Sequence, residues 1–492
     1  MKHLKVPFLL FIISLISISC FEDNDDVPIS TKTINDFVWR GMNLFYLYKD
    51  DVPDLANNRF SSNAEYNNYL NGFQWPEDLF ESLIYNRETV DRFSWIVDDY
   101  IALEQFFNGV VTSNGMEYQL FTFSSTDTNR YGVVTHVLPN TDAYTQGIKR
   151  GDIFYAIDGI QLTSSNAYQL LGQSSYTLNI GNYNTNDTET VSDDTVTPSS
   201  ISFNLTKEQY TEDPIFINKV LNINGINIAY LMYNGFTGTD EFNQELNNVF
   251  GDFKNAGTTE LVLDLRYNPG GSVYTATMLA SLITGQFTGD VFSTEQWNAE
   301  FQEAYESNDP ELLINRFIDN NSGTPLNSLN LSKVYILTTG RSASASELVI
   351  NSLRPYIEVV QIGTTTAGKY QASTTLYDSP NFTREGVNPS HAYAMQPLIF
   401  KSANVNGITD YFDGLVPDIV LGEQINNMGV LGDVNEPLLA EAIALITGSG
   451  RSAIKKTEYL QITNGSEDFN PFEKGMYVTK NLSDLITPTA FE

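Results

Sequence analysis

Few of the residue types from which hydrolytic, redox and metal sites are commonly built occur in this chain. Its 492 residues include one cysteine, Cys20, and three histidines, His3, His136 and His391. A single cysteine excludes an internal disulfide. No HExxH and no Cys/His cluster with metal-ligand spacing occurs, which argues against a zinc centre, and nothing in the pattern calls for another metal or a cofactor. Bases are scarce too: 27 Lys and Arg stand against 60 Asp and Glu, a formal net charge of −33. A surface this acidic repels nucleic-acid phosphates and anionic membrane surfaces, so neither is expected as a partner. Beyond the N-terminus no run approaches the roughly 18 apolar residues of a membrane-spanning helix. Core material is plentiful, with 41 % hydrophobic and 12 % aromatic residues in a chain long enough for several domains.

The first 20 residues, MKHLKVPFLLFIISLISISC, carry Lys2 and Lys5, then an apolar stretch from Val6 to Ile18 and small residues before Cys20. That is the layout of a secretory signal. It resembles a bacterial lipobox, with Ser17 where leucine is usual. The resemblance implies a signal peptide of residues 1–19, cleavage before Cys20 and lipidation of its thiol. The alternative is an ordinary secretory signal whose cysteine is cut away. Residues 1–19 hold two lysines and no acids, so the mature charge becomes −33 − 2 = −35. FEDNDD at 21–26 then lies in an acidic tether, residues 20–31, and a similar run accompanies surface export in some Gram-negative lipoproteins. The expectation is an exported lipoprotein of the bacterial cell envelope, periplasmic or surface-facing, touching the membrane only through its lipid.

Residues 33–49, TINDFVWRGMNLFYLYK, align Ile34, Phe37, Val38, Gly41, Met42 and Phe45 on one helical stripe, with Thr33 as a cap. Pro76 opens a second helix in PEDLFESLIY. SWIVDDYIALEQFF predicts a third, capped by Ser94, with Ile96, Val97, Tyr100 and Leu103 on one face. Residues 32–108 thus read as a helical domain. The period then falls to two. YGVVTHVLPNTDAYTQGIKRGDIFYAIDGIQL, residues 131–162, holds two strands around a short helix, punctuated by GD and DG turns. Ala143, Gly147, Ile148, Gly151, Asp152, Ile157, Asp158 and Gly159 resemble a PDZ domain. The resemblance implies that residues 109–211 take up an extended peptide C-terminus as an added strand, with Tyr131, Gly132 and Val133 at the loop that holds its carboxylate. NYNTNDTETVSDDTVTPSS, residues 182–200, reads as a mobile polar loop before a last strand at 201–206. From 212 to 448 strands and helices alternate, an α/β pattern with crossover helices. Residues 449–492 take no assignment.

His3 leaves with the signal and His136 lies mid-strand, so a Ser–His–Asp triad would rest on His391, in the polar stretch NPSHAYAM. Cys20 is lipidated or lost, which excludes thiol catalysis. A lone loop histidine is more often incidental than catalytic, so an acyl-transfer site here is expected to use a lysine base, with His391 as the remaining alternative. Three segments could build one. KVYILTT-GR-SASASELVINSL puts Ser342, Ser344 and Ser346 at a strand-to-helix junction, where free amides and the positive helix end could meet an oxyanion. Ser344-Ala-Ser-Glu347 is equally a helix capping box. LVLDLRYNPGGSV, residues 261–273, ends a hydrophobic strand in Gly270 and Gly271, which let a backbone amide come close to a ligand. IGTTTAGKYQAS, residues 362–373, ends another strand in the glycine-flanked Lys369.

In this order the three segments resemble peptidase family S41, the C-terminal-processing (tail-specific) serine peptidases. The matching signatures are the DLR-x-N-x-GG strand end, the SASASE motif and a glycine-flanked lysine 25 residues beyond the serine; 369 − 344 = 25 selects Ser344. The resemblance covers most of residues 33–447, including FVWRGMNLFYLYKDDVPDL, which is similar to the helical region of lipoprotein members. It implies a multidomain α/β fold: a helical N-terminal domain, a PDZ-like β domain and a crotonase- or ClpP-like Ser-Lys peptidase core. It makes Ser344 the nucleophile and Lys369 the general base. The amides of Ala345 and of Gly270 or Gly271 become the oxyanion hole, and protein or peptide C-termini the substrates. Many members have glutamine four residues after the lysine. Here Ser373 stands there and Gln371 lies at plus two, so either is a candidate to orient the lysine. The base must be neutral, yet a free lysine titrates near ~10.4, leaving on the order of one in two thousand unprotonated at neutral pH. Burial lowers a lysine by up to about 3–5 units, so the site is expected to be dry and free of carboxylates. Ser344 then attacks the scissile carbonyl and water resolves the acyl-enzyme. Two readings compete: a catalytically idle lipoprotein whose PDZ-like domain only binds protein C-termini, and an acyl-transfer enzyme acting on a non-protein ester.

Overall fold

The computed structural model describes residues 31–188, 190–449, 461–466 and 477–478. The signal peptide, the lipidation of Cys20, the acidic tether and most of the 449–492 extension lie outside them. The central sheet runs in the order Ile215–Ile223, Ile226–Tyr233, Glu260–Asp264, Lys333–Thr338, Glu358–Gly363 and Ile419–Val420. Its first pair is antiparallel and the others are parallel. Both faces of the central strands are buried, which is why LVL at 261–263 and VYIL at 334–337 read as unbroken apolar runs. Ala229, Leu231 and Tyr233 enter one core, and Ile228, Tyr230 and Met232 enter another. The helices Asp240–Asn255, Val273–Thr284 and Ala345–Leu353 cover the first face, and Pro437–Thr447 covers the second. Three neighbouring parallel strands stop at Asp264, Thr338 and Gly363, so the loops that follow all emerge on one edge of the sheet.

The N-terminal stripe forms as expected on the helix Thr31–Phe45, which starts ahead of Thr33. Ile34, Phe37, Val38, Met42 and Phe45 make no core of their own; they join the first-face core with Leu398 and Phe400. The Phe45 ring stacks on Phe301 with centroids 5.4 Å apart. The third expected helix is corrected. Trp95–Val97 is a strand paired with Ala394–Gln396, and the helix is Tyr100–Phe107, capped by Asp99 rather than Ser94. A β-branched and aromatic triplet with a partner strand prefers the sheet.

Residues 109–211 fold around a separate core that includes Tyr118, Val134, Phe154, Ile157 and Leu178. Their sheet runs Met116–Thr122, Tyr131–Val137, Ile153–Ile157, Ser175–Asn184, Thr195–Thr206, and Gln461–Gly465 of the C-terminal extension pairs with the open edge of Met116–Thr122. The expected loop at 182–200 is mostly a hairpin, with Tyr183 opposite Val196 and Thr177 opposite Asn204. Thr, Tyr and Val sustain an exposed ribbon that low complexity alone would not suggest.

A buried ion network joins this β domain to the α/β core. Arg150 donates to Glu423 at 2.5 Å, to the Tyr267 hydroxyl at 2.6 Å and to the Thr135 carbonyl at 2.7 Å. Arg266, fully buried, forks onto Asp264 and onto Glu436 and reaches Glu423 at 3.1 Å. Burial alone would raise the Glu423 carboxyl; Arg150 and Arg266 overcome it and hold it down at about 2, against an ordinary 4.5. A carboxyl depressed in the folded state contributes stability above its unfolded value and loses it as pH falls. Glu423→Gln should therefore cost about 3–5 kcal/mol at neutral pH, by taking from buried Arg150 the carboxylate it is hydrogen-bonded to, while Arg266 keeps Asp264 and Glu436. It should also flatten the fall in melting temperature between pH 4.5 and about 2. Thermal melts of both proteins across that range check both effects.

Candidate active site

The loops leaving Asp264, Thr338 and Gly363 converge. In the first, Asn268 donates to the Tyr233 carbonyl at 2.8 Å and accepts from the Gly270 amide at 2.9 Å. Gly270 has φ 113°, and a Cβ there would fall 2.6 Å from Ser344 Cβ and 3.0 Å from the Ala345 amide nitrogen. Only glycine lets this turn lie against the start of the helix Ala345–Leu353. Gly270 N–H is taken by Asn268. The Gly271 and Ala345 amides have no hydrogen-bond partner among the described residues.

In the second loop the three serines separate by environment. Ser342 Oγ donates to the Leu265 carbonyl at 2.7 Å, and Ser346 Oγ donates to the Asn268 carbonyl at 3.1 Å, so both tie this loop to the first. Ser344 differs. It is fully buried, its backbone has φ 65°, and its Oγ has no hydrogen-bond partner among the described residues. A non-glycine residue in that region costs energy, and such strain gathers at functional positions. The capping box is present in outline, but only its carboxylate arm is a full hydrogen bond, from the Ser344 amide to Glu347 at 2.7 Å.

The third loop carries Lys369, 1 % exposed, its Nζ 4.9 Å from the centroid of the Phe93 ring. Glu347 reaches this loop as well. It accepts from the Gly368 amide at 2.7 Å, the Lys369 amide at 2.8 Å and the Thr366 hydroxyl at 2.5 Å. One carboxylate therefore holds the backbones of Ser344 and Lys369 together. The expectation of a site free of carboxylates is corrected: burial pushes the Glu347 carboxyl up, while Thr366 and the three amides offset part of that rise.

The sequence analysis missed a roof over the lysine loop. Arg92 donates to the Gly368 carbonyl at 3.0 Å and lies 4.3 Å from the Phe412 ring. Asp91 accepts from the Phe93 and Ser94 amides and from the Tyr46 hydroxyl, which fixes the turn that presents Arg92 and Phe93. The signal was DRFSW, readable only with its partner in view. Gln371 Nε2 donates to the Tyr48 hydroxyl at 3.0 Å, while the Ser373 carbonyl accepts from the Val478 amide at 3.0 Å. His136 stacks on Tyr267, and burial pushes it well below its ordinary value. His391 is held by Asp378 at 2.9 Å, which Asn388 also binds. Gly132 and Val133 pair on both sides, with Leu120 and Gln119 and with Phe154 and Ile153, and Tyr131 pairs with Phe121. The expectation that Tyr131, Gly132 and Val133 receive a peptide strand is corrected, because their strand is interior to the sheet; the outer strand Met116–Thr122 is itself paired with Gln461–Gly465.

A family model described as peptidase family S41 matches residues 227–393, and one described as the peptidase S41 N-terminal domain matches residues 33–95. A curated carboxyl-terminal-processing protease of Picosynechococcus sp. is 24 % identical over 314 residues. That is 63 % of this chain and 65 % of the relative, so the match spans just under two thirds of that protein. The crystal structure of a Bacteroides fragilis protein assigned to the S41 proteases matches with a TM-score of 0.63 at 26 % identity, covering 84 % of this chain and 97 % of that one. The photosystem II D1 C-terminal processing protease covers 84 % and 98 %, at 16 % identity and a TM-score of 0.49.

Glu347→Ala should strand four donors in a dry site, each unmade bond costing about 1–3 kcal/mol before relaxation. The expected result is a melting temperature lowered by more than Ser346→Ala lowers it, read by calorimetry. Glu347→Gln, which keeps acceptor capacity at one oxygen, should recover part of the loss.

Proposed function

Because this chain belongs to peptidase family S41, with the family's N-terminal domain preceding its peptidase domain, we propose that it is a serine endopeptidase of the C-terminal-processing type, acting through a Ser344–Lys369 dyad. One observation carries the reading. Of the three motif serines, Ser344 alone combines a strained backbone, an unpartnered hydroxyl and a carboxylate link to the lysine loop. In the proposed mechanism Ser344 Oγ attacks the scissile carbonyl and Lys369 Nζ takes its proton. The Lys369 surroundings, 1 % exposed, work against the charged amine as a base requires. Of the two glycines, Gly271 is the better oxyanion donor beside Ala345, since Gly270 N–H already has Asn268. One such donor is worth roughly 2.7–4 kcal/mol. Lys369 then returns its proton to the leaving amine and later activates the water that releases the acyl group. Gln371 and Ser373 are positioning candidates; Gln371, tied to Tyr48, is the better supported.

The proposed substrates are proteins or peptides engaged through their C-termini, delivered by strand addition at a PDZ-like domain of residues 109–211. Residues 32–108 cover the lysine and residues 212–448 hold the dyad. Attachment to the envelope through a lipid on Cys20 belongs to the same proposal. No helix among the described residues is long and apolar enough to cross a membrane.

Ser344→Ala and Lys369→Ala should each lower kcat/KM on an unfolded polypeptide by about 10⁴-fold or more, as loss of a nucleophile or base does elsewhere. Ser342→Ala and Ser346→Ala should retain activity. Wild-type turnover from either dyad variant removes the assignment, and tight binding without products in the wild type favours the idle binder.

A further inference from the structure

We propose that the chain's own C-terminal extension occupies the substrate track in cis, so that substrate must displace it; this rests on the peptidase reading above. Two described pieces of the extension lie where an extended substrate would have to lie. Gln461–Gly465 forms an antiparallel strand on Met116–Thr122, with Ile462 opposite Phe121 and Gly465 opposite Gln119. That is the mode of an added peptide strand, and Gln119 and Ile462–Gly465 line one cavity with Thr339, Gly340 and Arg341, just before the motif serines. The next residue ties in as well: Ser466 Oγ accepts from the Tyr118 amide and donates to the Glu117 carboxylate. Glu117 is in turn drawn downward electrostatically by Arg341, three residues before Ser344, although burial dominates and raises it.

Tyr477 and Val478 then stand between the two catalytic loops. Tyr477 bridges Ser272 on one side and Ser373 on the other, both in parallel. Its amide donates to the Gly271 carbonyl at 3.1 Å, and the Val478 amide donates to the Ser373 carbonyl at 3.0 Å. The Tyr477 ring lies 4.3 Å from the Phe107 ring centroid, and the residue is 7 % exposed. Beside it, a cavity of about 90 Å³ is lined by Phe107, Pro269, Gly270, Gly271 and Tyr477 itself. The backbone acceptors flanking the nucleophile and the base are therefore already used by this chain, and a substrate strand pairing there meets a competitor at very high effective concentration.

The test uses the full mature chain. Tyr477→Ala should raise kcat/KM on an unstructured peptide about 5-fold or more, and a synthetic peptide of residues 461–492 should inhibit the variant competitively. Asn464→Pro, which disturbs only the outer strand, should shift kcat/KM in the same direction. In a Ser344→Ala background, where nothing is cut, Tyr477→Ala should tighten binding of a fluorescent unfolded polypeptide by a similar factor. Unchanged rate and unchanged binding in both tail variants overturn the proposal. Tightened binding with no cleavage by any protein carrying Ser344 supports the tail's role and overturns the peptidase reading instead. Specific activity that falls with rising protein concentration assigns the occupant to a neighbouring molecule and overturns occupancy in cis.

Discussion

Glu347 accepts hydrogen bonds from the amides of Ser344, Gly368 and Lys369 and from the Thr366 hydroxyl, and the edge of the sheet that carries Ser344 and Lys369 is organised around that carboxylate. Its position is dictated by helix chemistry. The third residue of a helix can reach back to the cap amide, and the negative charge suits the helix N-terminus. What is unusual is the second use. The same two oxygens also collect donors from a loop 21 residues further on. A group often read as a local cap is here a long-range clamp, and the strained φ of Ser344 is tolerable because that clamp and the Gly270 turn leave it no room to relax.

A carboxylate beside Lys369 works against the base role proposed for it, since a nearby negative charge favours the ammonium. Both Glu347 oxygens accept from backbone amides and a hydroxyl, and the Lys369 main-chain amide is one of those donors. The lysine head lies instead at the aromatic face of Phe93, supplied by the N-terminal region.

The three loops of the candidate site were legible in the sequence because each is a short motif whose chemistry needs few neighbours. Paired glycines, a serine before a helix, and a glycine-flanked lysine could all be read locally, and the order of apolar runs gave the parallel sheet. The limits lay in contacts between distant segments. Trp95–Val97 looked helical until its partner Ala394–Gln396 was seen, and 182–200 looked like a loop until Tyr183 met Val196. Asp91 to Ser94, within DRFSW, could not be read without their partner, because Arg92 acts on the Gly368 carbonyl 276 residues away. Gly270 and Gly271 differ because the Gly270 amide donates to the Asn268 side-chain oxygen, a contact that no spacing rule encodes.

The shared core of the N-terminal helix has a consequence for how the chain is made. Its apolar stripe packs against Leu398 and Phe400, Tyr48 reaches Gln371 across 323 residues, and Ser94 reaches Leu398 across 304. During synthesis the first helix emerges long before these partners exist. Until the last third of the polypeptide arrives, that greasy surface is uncovered and prone to stick to other chains. Maturation is thus bound to the arrival order of segments, and an escort that shields the early helix would act before any proteolytic competence could develop.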